Sequence, residues 1–470
     1  MKNIYLLLFI ICIIAPVKAQ EKKTNIVLIM ADDLGIGDLG CYGQLKISTP
    51  RIDELANKGL RFTNFYSGTS VCAPSRSSLM TGQHTGHTFI RGNKEIEPEG
   101  QQPLADSVIT IAMSLKKAGY VTGAFGKWGL GMVGTSGDPN QKGFDEFYGY
   151  NCQRQSHRYY PTHLWHNSQR IELTGNDLSH KVQYAPTLIQ EKALGFIEEN
   201  KDKPFFLFIP TVLPHAELSG PEDVFYAKYK DAFLENRHQG NDYGNGATIA
   251  GYASVDKPRA TYAAMVSRMD EHVGQIVDKL RELDLIDNTI ILFTSDNGAH
   301  REGGADPIFF NSTAGLRGYK RDLYEGGIRT PFIVSWPSKI KSGDTVSHTA
   351  AFWDIMPTLV ELNGKKMESY TDGISFLPIL TGQGQQKPHK YLYWEFHEDG
   401  GKQAILMDGW KLLKLKAKSD QPIFELYDIK NDPKESKNLA GFNPKIVKKL
   451  VAQLEVAHKE SVIFPLYNRN

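Results

Sequence analysis

The sequence predicts an α/β protein in which a large, mostly parallel sheet is flanked by helices and followed by a smaller antiparallel sheet. Short, continuously apolar runs alternate with longer segments of helical spacing through most of the chain, which is typical of parallel strands joined by helices. After about residue 385 the pattern changes to short strands joined by turns. The length of 470 residues allows one large domain and one smaller domain.

The large sheet is expected to use the apolar runs as buried strands, because parallel strands covered on both faces lack an alternating pattern. These runs lie at 25–30, within 118–125, and at 204–209, 289–294 and 330–335. Segments with helical spacing lie at 49–55, 185–199 and 261–283. Thr49-Pro50 suits a helix start, because proline is well tolerated in the first turn, and Gly59 suits its end.

The C-terminal part is expected to form a small antiparallel sheet closed by a helix. Its strands are predicted at 391–396, 403–407, 411–416 and 423–428, with turns such as Asp408-Gly409 between them, and the helix at 444–460. We therefore divide the chain into a signal peptide at 1–19, a catalytic domain at 20–385 and a C-terminal subdomain at 386–470.

Charge and composition exclude several classes of protein. The 54 Lys and Arg residues balance 53 Asp and Glu residues, so the chain lacks the basic excess of a nucleic-acid binder. Hydrophobic residues at 41% and charged residues at 23% are ordinary for a globular protein. Four cysteines in 470 residues are too few for a disulfide scaffold.

The N-terminus has the pattern of a secretory signal peptide cleaved near Ala19. Residues 4–14 are continuously apolar, which is too short a run to span a bilayer, and no later run reaches that length. We therefore expect an exported protein, periplasmic or extracellular, without a membrane span. Cleavage removes Cys12 and leaves Cys41, Cys72 and Cys152; whether Cys41 pairs with Cys152 stays open.

Acidic and amide side chains follow two of the predicted strands. Asp32 and Asp33 follow the first, and Asp296 and Asn297 follow the run at 289–294. Active sites of open α/β sheets lie beyond the carboxyl ends of the strands. Oxygen ligands of this kind suit Ca²⁺ or Mg²⁺ rather than zinc, although acids at strand ends also cap helices.

Cys72 lies where an anion would be bound well. Pro74 fits the first turn of a helix, so Cys72 is expected just before a short helix that ends near Gly82. Free N–H groups and the helix dipole favour an anion there, and Arg76, one turn on, can point to the same place. A buried structural cysteine and a thiolate nucleophile both fit this position.

The segment Cys-x-Pro-x-Arg followed by Leu-x-Thr-Gly, at 72–82, resembles the signature of formylglycine-dependent (type I) sulfatases, the arylsulfatase-like members of the alkaline phosphatase superfamily. The resemblance extends from about residue 25 to the C-terminal helix. It implies an alkaline-phosphatase-like fold and a sulfuric ester hydrolase. It also implies that a separate maturation enzyme oxidises Cys72 to formylglycine. Finally, it implies Ca²⁺ held by Asp32, Asp33, the residue at Cys72, Asp296 and Asn297.

Three more positions resemble residues of the family's sulfate site: Lys127, His215 and Lys320. Together with Cys72 and Arg76 they form the predicted catalytic set. The common pattern has a histidine two residues after the first lysine, where this chain has Gly129. That difference leaves open which group acts as the second base, and His157 is a possible substitute that could equally bind sugar.

Further residues suggest that the substrate is a sulfated carbohydrate. The predicted binding residues are His157, His300, Arg301, Asp306 and Arg317, with Glu302 among them in the chain and an aromatic loop at 159–165. Aromatic faces combined with charged hydrogen-bonding groups suit a sugar. We expect a galactose or N-acetylgalactosamine sulfate at a chain end. The sulfate position, endo or exo action, and the oligomeric state stay open.

Two alternatives remain. A phosphatase or phosphodiesterase on the same fold would use a Ser or Thr nucleophile, for which Thr69 and Ser70 are available, but the sequence has no clear second set of metal ligands. A glycan-binding relative without activity would fit the absent histidine at Gly129.

Overall fold

The computed structural model describes residues 22–97, 99–242, 251–340 and 343–467. The predicted signal peptide lies outside these ranges. The strands are β1 Asn25–Ala31, β2 Leu60–Phe62, β3 Phe65–Tyr66, β4 Glu95–Ile96, β5 Gly100–Gln101, β6 Val121–Lys127, β7 Glu146–Tyr150, β8 His163–His166, β9 Gln169–Glu172, β10 Phe205–Pro210, β11 Thr289–Ser295, β12 Phe332–Ser335, β13 Asp344–Val346, β14 Ala350–Ala351, β15 Leu392–Phe396, β16 Lys402–Met407, β17 Trp410–Leu415 and β18 Ile423–Asp428. The helices are α1 Pro50–Asn57, α2 Cys72–Thr81, α3 Ile111–Lys117, α4 Ala185–Glu199, α5 Val224–Tyr229, α6 Pro258–Glu282, α7 Glu325–Ile328, α8 Ile355–Leu362, α9 Leu377–Thr381 and α10 Pro444–Ala457.

The large sheet has ten strands among the described residues, in the order β13-β2-β12-β11-β1-β10-β6-β7-β8-β9. The five central strands, from β11 to β7, run parallel to one another. β12 and β8 run antiparallel to their central neighbours. The predicted α/β class and large sheet are therefore confirmed, and the sheet is mixed rather than purely parallel at its edges.

Both faces of the sheet are covered, which explains the continuously apolar strands. Val27 and Ile29 of β1 belong to a core that includes side chains of α4 and α6. The alternating residues Ile26, Leu28 and Met30 belong to a second core that includes side chains of α3 and α8. Because successive side chains of a strand point to opposite faces, a strand buried on both sides must be apolar at every position.

Helix α2 begins one residue earlier than the sequence suggests. Cys72 is its first residue rather than the residue before it, and Val71 has the extended conformation of an N-cap. Pro74 is therefore the third residue of the helix, still within the first turn where its missing N–H costs nothing. The helix ends as predicted at Gly82, whose φ of 67° is the left-handed conformation that glycine adopts easily.

The predicted C-terminal sheet is also confirmed, as four antiparallel strands in the order β15-β16-β17-β18. One face packs on Tyr66, Trp353 and Ile328 of the preceding part of the chain. The other face packs on Leu450 and Leu454 of α10. The boundary between residues 385 and 386 stays a prediction.

Two further expectations concern the whole described chain. None of its helices combines the length and the apolar character that crossing a bilayer requires. Cys41, Cys72 and Cys152 are all free thiols, so the pairing left open for Cys41 and Cys152 does not form.

Candidate active site

The two acidic segments meet at one edge of the sheet because β1 and β11 are parallel neighbours, with Ala31 opposite Ser295. The backbone N–H of Asp33 donates to Asp296 Oδ1 at 3.0 Å, and Asn297 Nδ2 donates to Asp33 Oδ1 at 2.7 Å. All four acid and amide side chains are fully buried. Asp33 adopts a φ of 63°, a turn that lets the chain leave the strand sharply.

Cys72 lies against these carboxylates at the N-terminus of α2. Its Sγ is 3.4 Å from Asp32 Oδ1 and 3.9 Å from Asp33 Oδ1. Burial raises the pKa of the Cys72 thiol well above its ordinary value, although the charge of Lys127 opposes the rise. The unmodified residue is therefore a neutral thiol at neutral pH, which disfavours a thiolate nucleophile.

Arg76 connects α2 to both neighbouring strand ends. Its Nε and Nη2 donate to Asp296 Oδ2 at 3.0 and 2.8 Å, and its Nη1 donates to the carbonyl oxygen of Lys127 at 2.6 Å. Arg76 as a whole is 1% exposed. A charge buried to this degree needs such an ion pair to offset the loss of hydration.

Two lysines each bind one aspartate of the first pair. Lys127 at the end of β6 donates to Asp32 Oδ2 at 2.7 Å. Lys320, on the loop before α7, donates to Asp33 Oδ2 at 2.9 Å and to Glu302 Oε2 at 2.7 Å. Each of these carboxylates therefore lies beside a positively charged side chain.

Three histidine rings are stacked beside Lys320. His157 and His215 are nearly parallel with centroids 4.7 Å apart, and the centroid of His300 lies 5.8 Å from that of His215. Lys320 Nζ lies 3.0 Å from His215 Nε2. Burial and the charge of Lys320 hold the pKa of His215 well below its ordinary value, and burial likewise lowers the pKa of His157 and His300.

The acids of the site differ in their electrostatics. Burial opposes ionisation of Asp32, but the charges of Lys127 and Arg76, together with the hydrogen bond from Lys127, outweigh it and hold its pKa well below the ordinary range. Burial and the neighbouring charge of Asp32 raise the pKa of Asp296 to about 7, despite the contact with Arg76.

The oxygen donors of the site fit a hard cation. Carboxylate oxygens of Asp32 and Asp33, Cys72 Sγ and a ring nitrogen of His215 all lie within 4.8 Å of one another. Asn297 Oδ1 is buried and has no hydrogen-bond partner among the described residues. An orphaned amide oxygen beside three carboxylates is the donor chemistry that Ca²⁺ or Mg²⁺ requires.

The structure brings together all nine residues predicted to be catalytic or metal-binding, as well as His157 and His300. The three other predicted binding residues make their recorded contacts with residues outside this cluster. Arg301 is exposed and lies over the ring of Tyr319. Arg259 binds Asp306 at 2.7 Å, and Arg317 packs on Tyr324 and Tyr427 towards the C-terminal sheet. These contacts account for Asp306 and Arg317 without a substrate.

Two neighbours of the site have no signal in the sequence that marks them. Tyr252 donates to Glu302 Oε2 at 2.9 Å, and its ring centroid lies 5.4 Å from that of His157. Gln153 lies against Gly129: a Cβ at this glycine would be 1.9 Å from Gln153 Nε2. Only the absent side chain at Gly129 could have directed attention to Gln153.

The family models assign the chain to a class. Residues 24–365 match the sulfatase model, and residues 317–460 match the model of the N-sulphoglucosamine sulphohydrolase C-terminal region. The protein is a sulfuric ester hydrolase with the fold of the alkaline phosphatase superfamily. It belongs to the sulfatase family.

Known relatives agree with this assignment. An arylsulfatase of Hemicentrotus pulcherrimus is 34% identical over 80% of this chain and 65% of its own length. The N-acetylgalactosamine-6-O-sulfatase of Bacteroides thetaiotaomicron is 29% identical over 93% of both chains. The crystal structure of Ps i-CgsB in complex with k-i-k-neocarrahexaose matches with a TM-score of 0.76 and 30% identity, over 93% of this chain and 92% of that one.

Proposed function

We propose that this sulfatase removes sulfate from a glycan, using a formylglycine made from Cys72 and a Ca²⁺ ion. The observation that carries the proposal is the position of Cys72. Its sulfur lies 3.4 Å from Asp32 at the N-terminus of α2, in a cluster where carboxylates alternate with Arg76, Lys127 and Lys320. Such a cluster can hold a cation and an anion side by side.

The Ca²⁺ ion would be held by Asp32, Asp33, Asp296, Asn297 and the residue derived from Cys72. When bound, it supplies a positive charge that polarises a sulfate oxygen. The oxygen-rich donors and the orphaned Asn297 Oδ1 support calcium or magnesium over zinc.

Formylglycine would supply, as its hydrate, an oxygen nucleophile. The carbon that carries this oxygen can release the sulfate again, so no separate hydrolysis of an ester is needed. A separate maturation enzyme would install it. The neutral state of the buried Cys72 thiol supports this proposal over direct attack by a thiolate.

The remaining residues orient the sulfate group and move protons. Lys127 and Lys320 would bind sulfate oxygens, since each already holds one aspartate of the cluster, and Arg76 contacts Asp296 and the backbone of Lys127 and would keep them in position. His215, which is kept neutral by burial and by Lys320, contacts that lysine and would exchange a proton with the leaving oxygen.

The substrate class that we propose is a sulfated sugar, and within it galactose sulfate or N-acetylgalactosamine sulfate at a chain end. The relative from Bacteroides thetaiotaomicron is named for N-acetylgalactosamine 6-O-sulfate, and the neighbour Ps i-CgsB was crystallised with a neocarrahexaose. We also propose that the protein is exported, from the signal-peptide pattern at 1–19.

The test is peptide mass spectrometry on the segment around Cys72, with the protein produced in hosts with and without a formylglycine-generating enzyme. Conversion of the cysteine lowers the residue mass by a fixed amount. We expect hydrolysis of sulfated galactose or N-acetylgalactosamine only in the converted preparation. Equal activity in a preparation that keeps the unmodified thiol would contradict the proposal.

A further inference from the structure

Three buried amide side chains carry atoms that have no hydrogen-bond partner among the residues described here. These atoms are Gln101 Nε2, Asn151 Oδ1 and both Nε2 and Oε1 of Gln153. The three side chains lie near Gly129, and Gln101 is connected to the other two by its Oε1, which accepts the backbone N–H of Gln153 at 3.3 Å. Gln101 is fully buried, Asn151 is 1% exposed and Gln153 is 4% exposed. An unpaired buried amide is costly, so a group of three indicates that water or a bound ligand supplies the missing partners.

The amides lie at the border of the catalytic cluster. Trp128 and Gly129 donate through their backbone N–H groups to the carbonyl oxygens of Tyr150 and Asn151, at 2.9 and 3.0 Å. Residues 150–153 therefore run beside the chain that follows Lys127. Because Gly129 has no side chain, the amide of Gln153 occupies the volume that a side chain there would fill.

The same segment reaches the cluster from its other end. Four residues after Gln153, the ring of His157 stacks on that of His215. The three residues, which are between 0% and 4% exposed, are buried to a similar degree as Cys72 at 3% and Lys127 at 0%, which lie in the cluster itself. This degree of burial is therefore compatible with the three amides belonging to the same deep site as the catalytic cluster.

We propose that Gln153, together with Asn151 and Gln101, binds hydroxyl groups of the sugar ring next to the sulfate ester. An amide both donates and accepts hydrogen bonds, as a hydroxyl does, whereas sulfate oxygens only accept. The free Oε1 of Gln153 would repel a sulfate oxygen but pairs well with a hydroxyl. A few placed polar groups of this kind fix the orientation of a ligand in a site. This inference rests on the proposed glycan function.

The experiment compares two substrates in the matured enzyme: 4-nitrophenyl sulfate, which has no ring hydroxyls, and the better cleaved of galactose 6-sulfate and N-acetylgalactosamine 6-sulfate. Gln153→Met preserves the volume and removes both hydrogen-bonding atoms. We expect kcat/KM for the sugar sulfate to fall about tenfold, the effect of one or two neutral hydrogen bonds. Hydrolysis of 4-nitrophenyl sulfate should stay within about threefold of wild type, since it lacks the group that Gln153 contacts.

Gln190→Met is the matched control, because Gln190 is 5% exposed and lies on α4, where it donates to the carbonyl oxygen of His272. It should leave the ratio of the two kcat/KM values unchanged. Should Gln153→Met not fold, Gln153→Ala serves in the same comparison.

An unchanged ratio in Gln153→Met would overturn the inference alone, whether both rates fall equally or neither changes. A wild-type enzyme that cleaves 4-nitrophenyl sulfate but neither sugar sulfate would overturn the proposed preference for these two sugars, and this inference with it.

Discussion

A buried ion network around Lys411 provides a quantitative test of how the C-terminal sheet supports the site. Lys411 on β17 is fully buried, and its Nζ lies 2.9 Å from Glu325 Oε1 and 3.0 Å from Glu435 Oε1. Glu325 begins α7, five residues after Lys320. Lys411→Met keeps the length of the side chain but removes its charge from beside the two buried carboxylates. Their remaining cationic neighbour is then Arg329, which pairs with Glu325.

Breaking a buried ion pair by removing one partner costs about 3–5 kcal/mol. Burial raises the pKa of Glu435 to about 7, although Lys411 opposes the rise. Glu435 can therefore take up a proton when the lysine is lost, and we expect the lower end, about 3 kcal/mol. An unfolding entropy of about 2.1 cal/mol/K per residue makes 1 kcal/mol equal to roughly 1 °C for 470 residues, so the expected loss in Tm is about 3 °C.

The loss should depend on pH. The pKa of Glu435 in the folded protein lies above its ordinary value of 4.5. The stabilisation that comes from this raised pKa is therefore fully present below pH 4.5 and is lost as the pH rises through about 7. Because protonation also removes one of the two unpaired charges in the variant, the difference in Tm from wild type should be smaller at pH 6 than at pH 8.

The assay is thermal unfolding followed by circular dichroism at both pH values. The control is Lys449→Met, since Lys449 pairs with Asp408 at 2.7 Å on the surface, where its side chain is 57% exposed. An exposed pair contributes little, so its Tm should change by less than about 1 °C. The reasoning is refuted if Lys411→Met lowers the Tm no more than the control does.

Three further predictions concern the nucleophile, the metal and a remote carboxylate. Cys72→Ala should abolish turnover and leave the Tm close to wild type; retained turnover would exclude Cys72 as the source of the nucleophile. Chelation of Ca²⁺ should lower both activity and Tm, because the free energy of unfolding falls by about 2.7 kcal/mol relative to protein in Ca²⁺ at 100 times its Kd. Added Ca²⁺ should restore both, and no change in either would exclude the ion. Asp270 accepts the N–H groups of Arg51 and Ile52 at the start of α1, and burial raises its pKa to about 7, so its stabilising effect is full below about pH 4 and is lost as the pH rises through 7. Asp270→Asn should flatten the dependence of Tm on pH in this range, while Asp278→Asn on the same helix, 55% exposed, should not; identical slopes would refute this.

The central strands could be predicted because burial on both faces requires apolar residues at every position, as in β1. The direction of β12 could not, since an apolar run looks the same in a parallel and an antiparallel strand. β9 escaped prediction because its residues are mostly exposed and polar. Such an edge strand depends on pairing with β8, which its own sequence does not encode.

The site was predictable where its residues follow strand ends or match a motif. Residues on the loop between β11 and α7 were harder to place, because proximity in the chain does not fix the direction of a side chain. Arg317 and Lys320 are three residues apart, with Gly318 at a φ of 84° between them. The turn sends Arg317 to the C-terminal sheet and Lys320 to Asp33. Gln153 is a different case: its side chain, which comes from another segment, occupies the volume that a side chain at Gly129 would fill. The sequence around Gln153 does not indicate this contact.

The balance of charge in the site affects how single substitutions should be interpreted. Each buried carboxylate has a cationic partner: Asp32 has Lys127, Asp33 has Lys320, and Asp296 has Arg76. Removing Lys127 or Lys320 therefore takes away a candidate sulfate contact and also leaves a buried acid unpaired, which is costly on its own. A loss of activity in Lys320→Met can arise from either effect. The loss of a sulfate contact lowers kcat/KM and leaves the Tm unchanged, whereas the unpaired acid lowers the Tm, so measuring both separates the two.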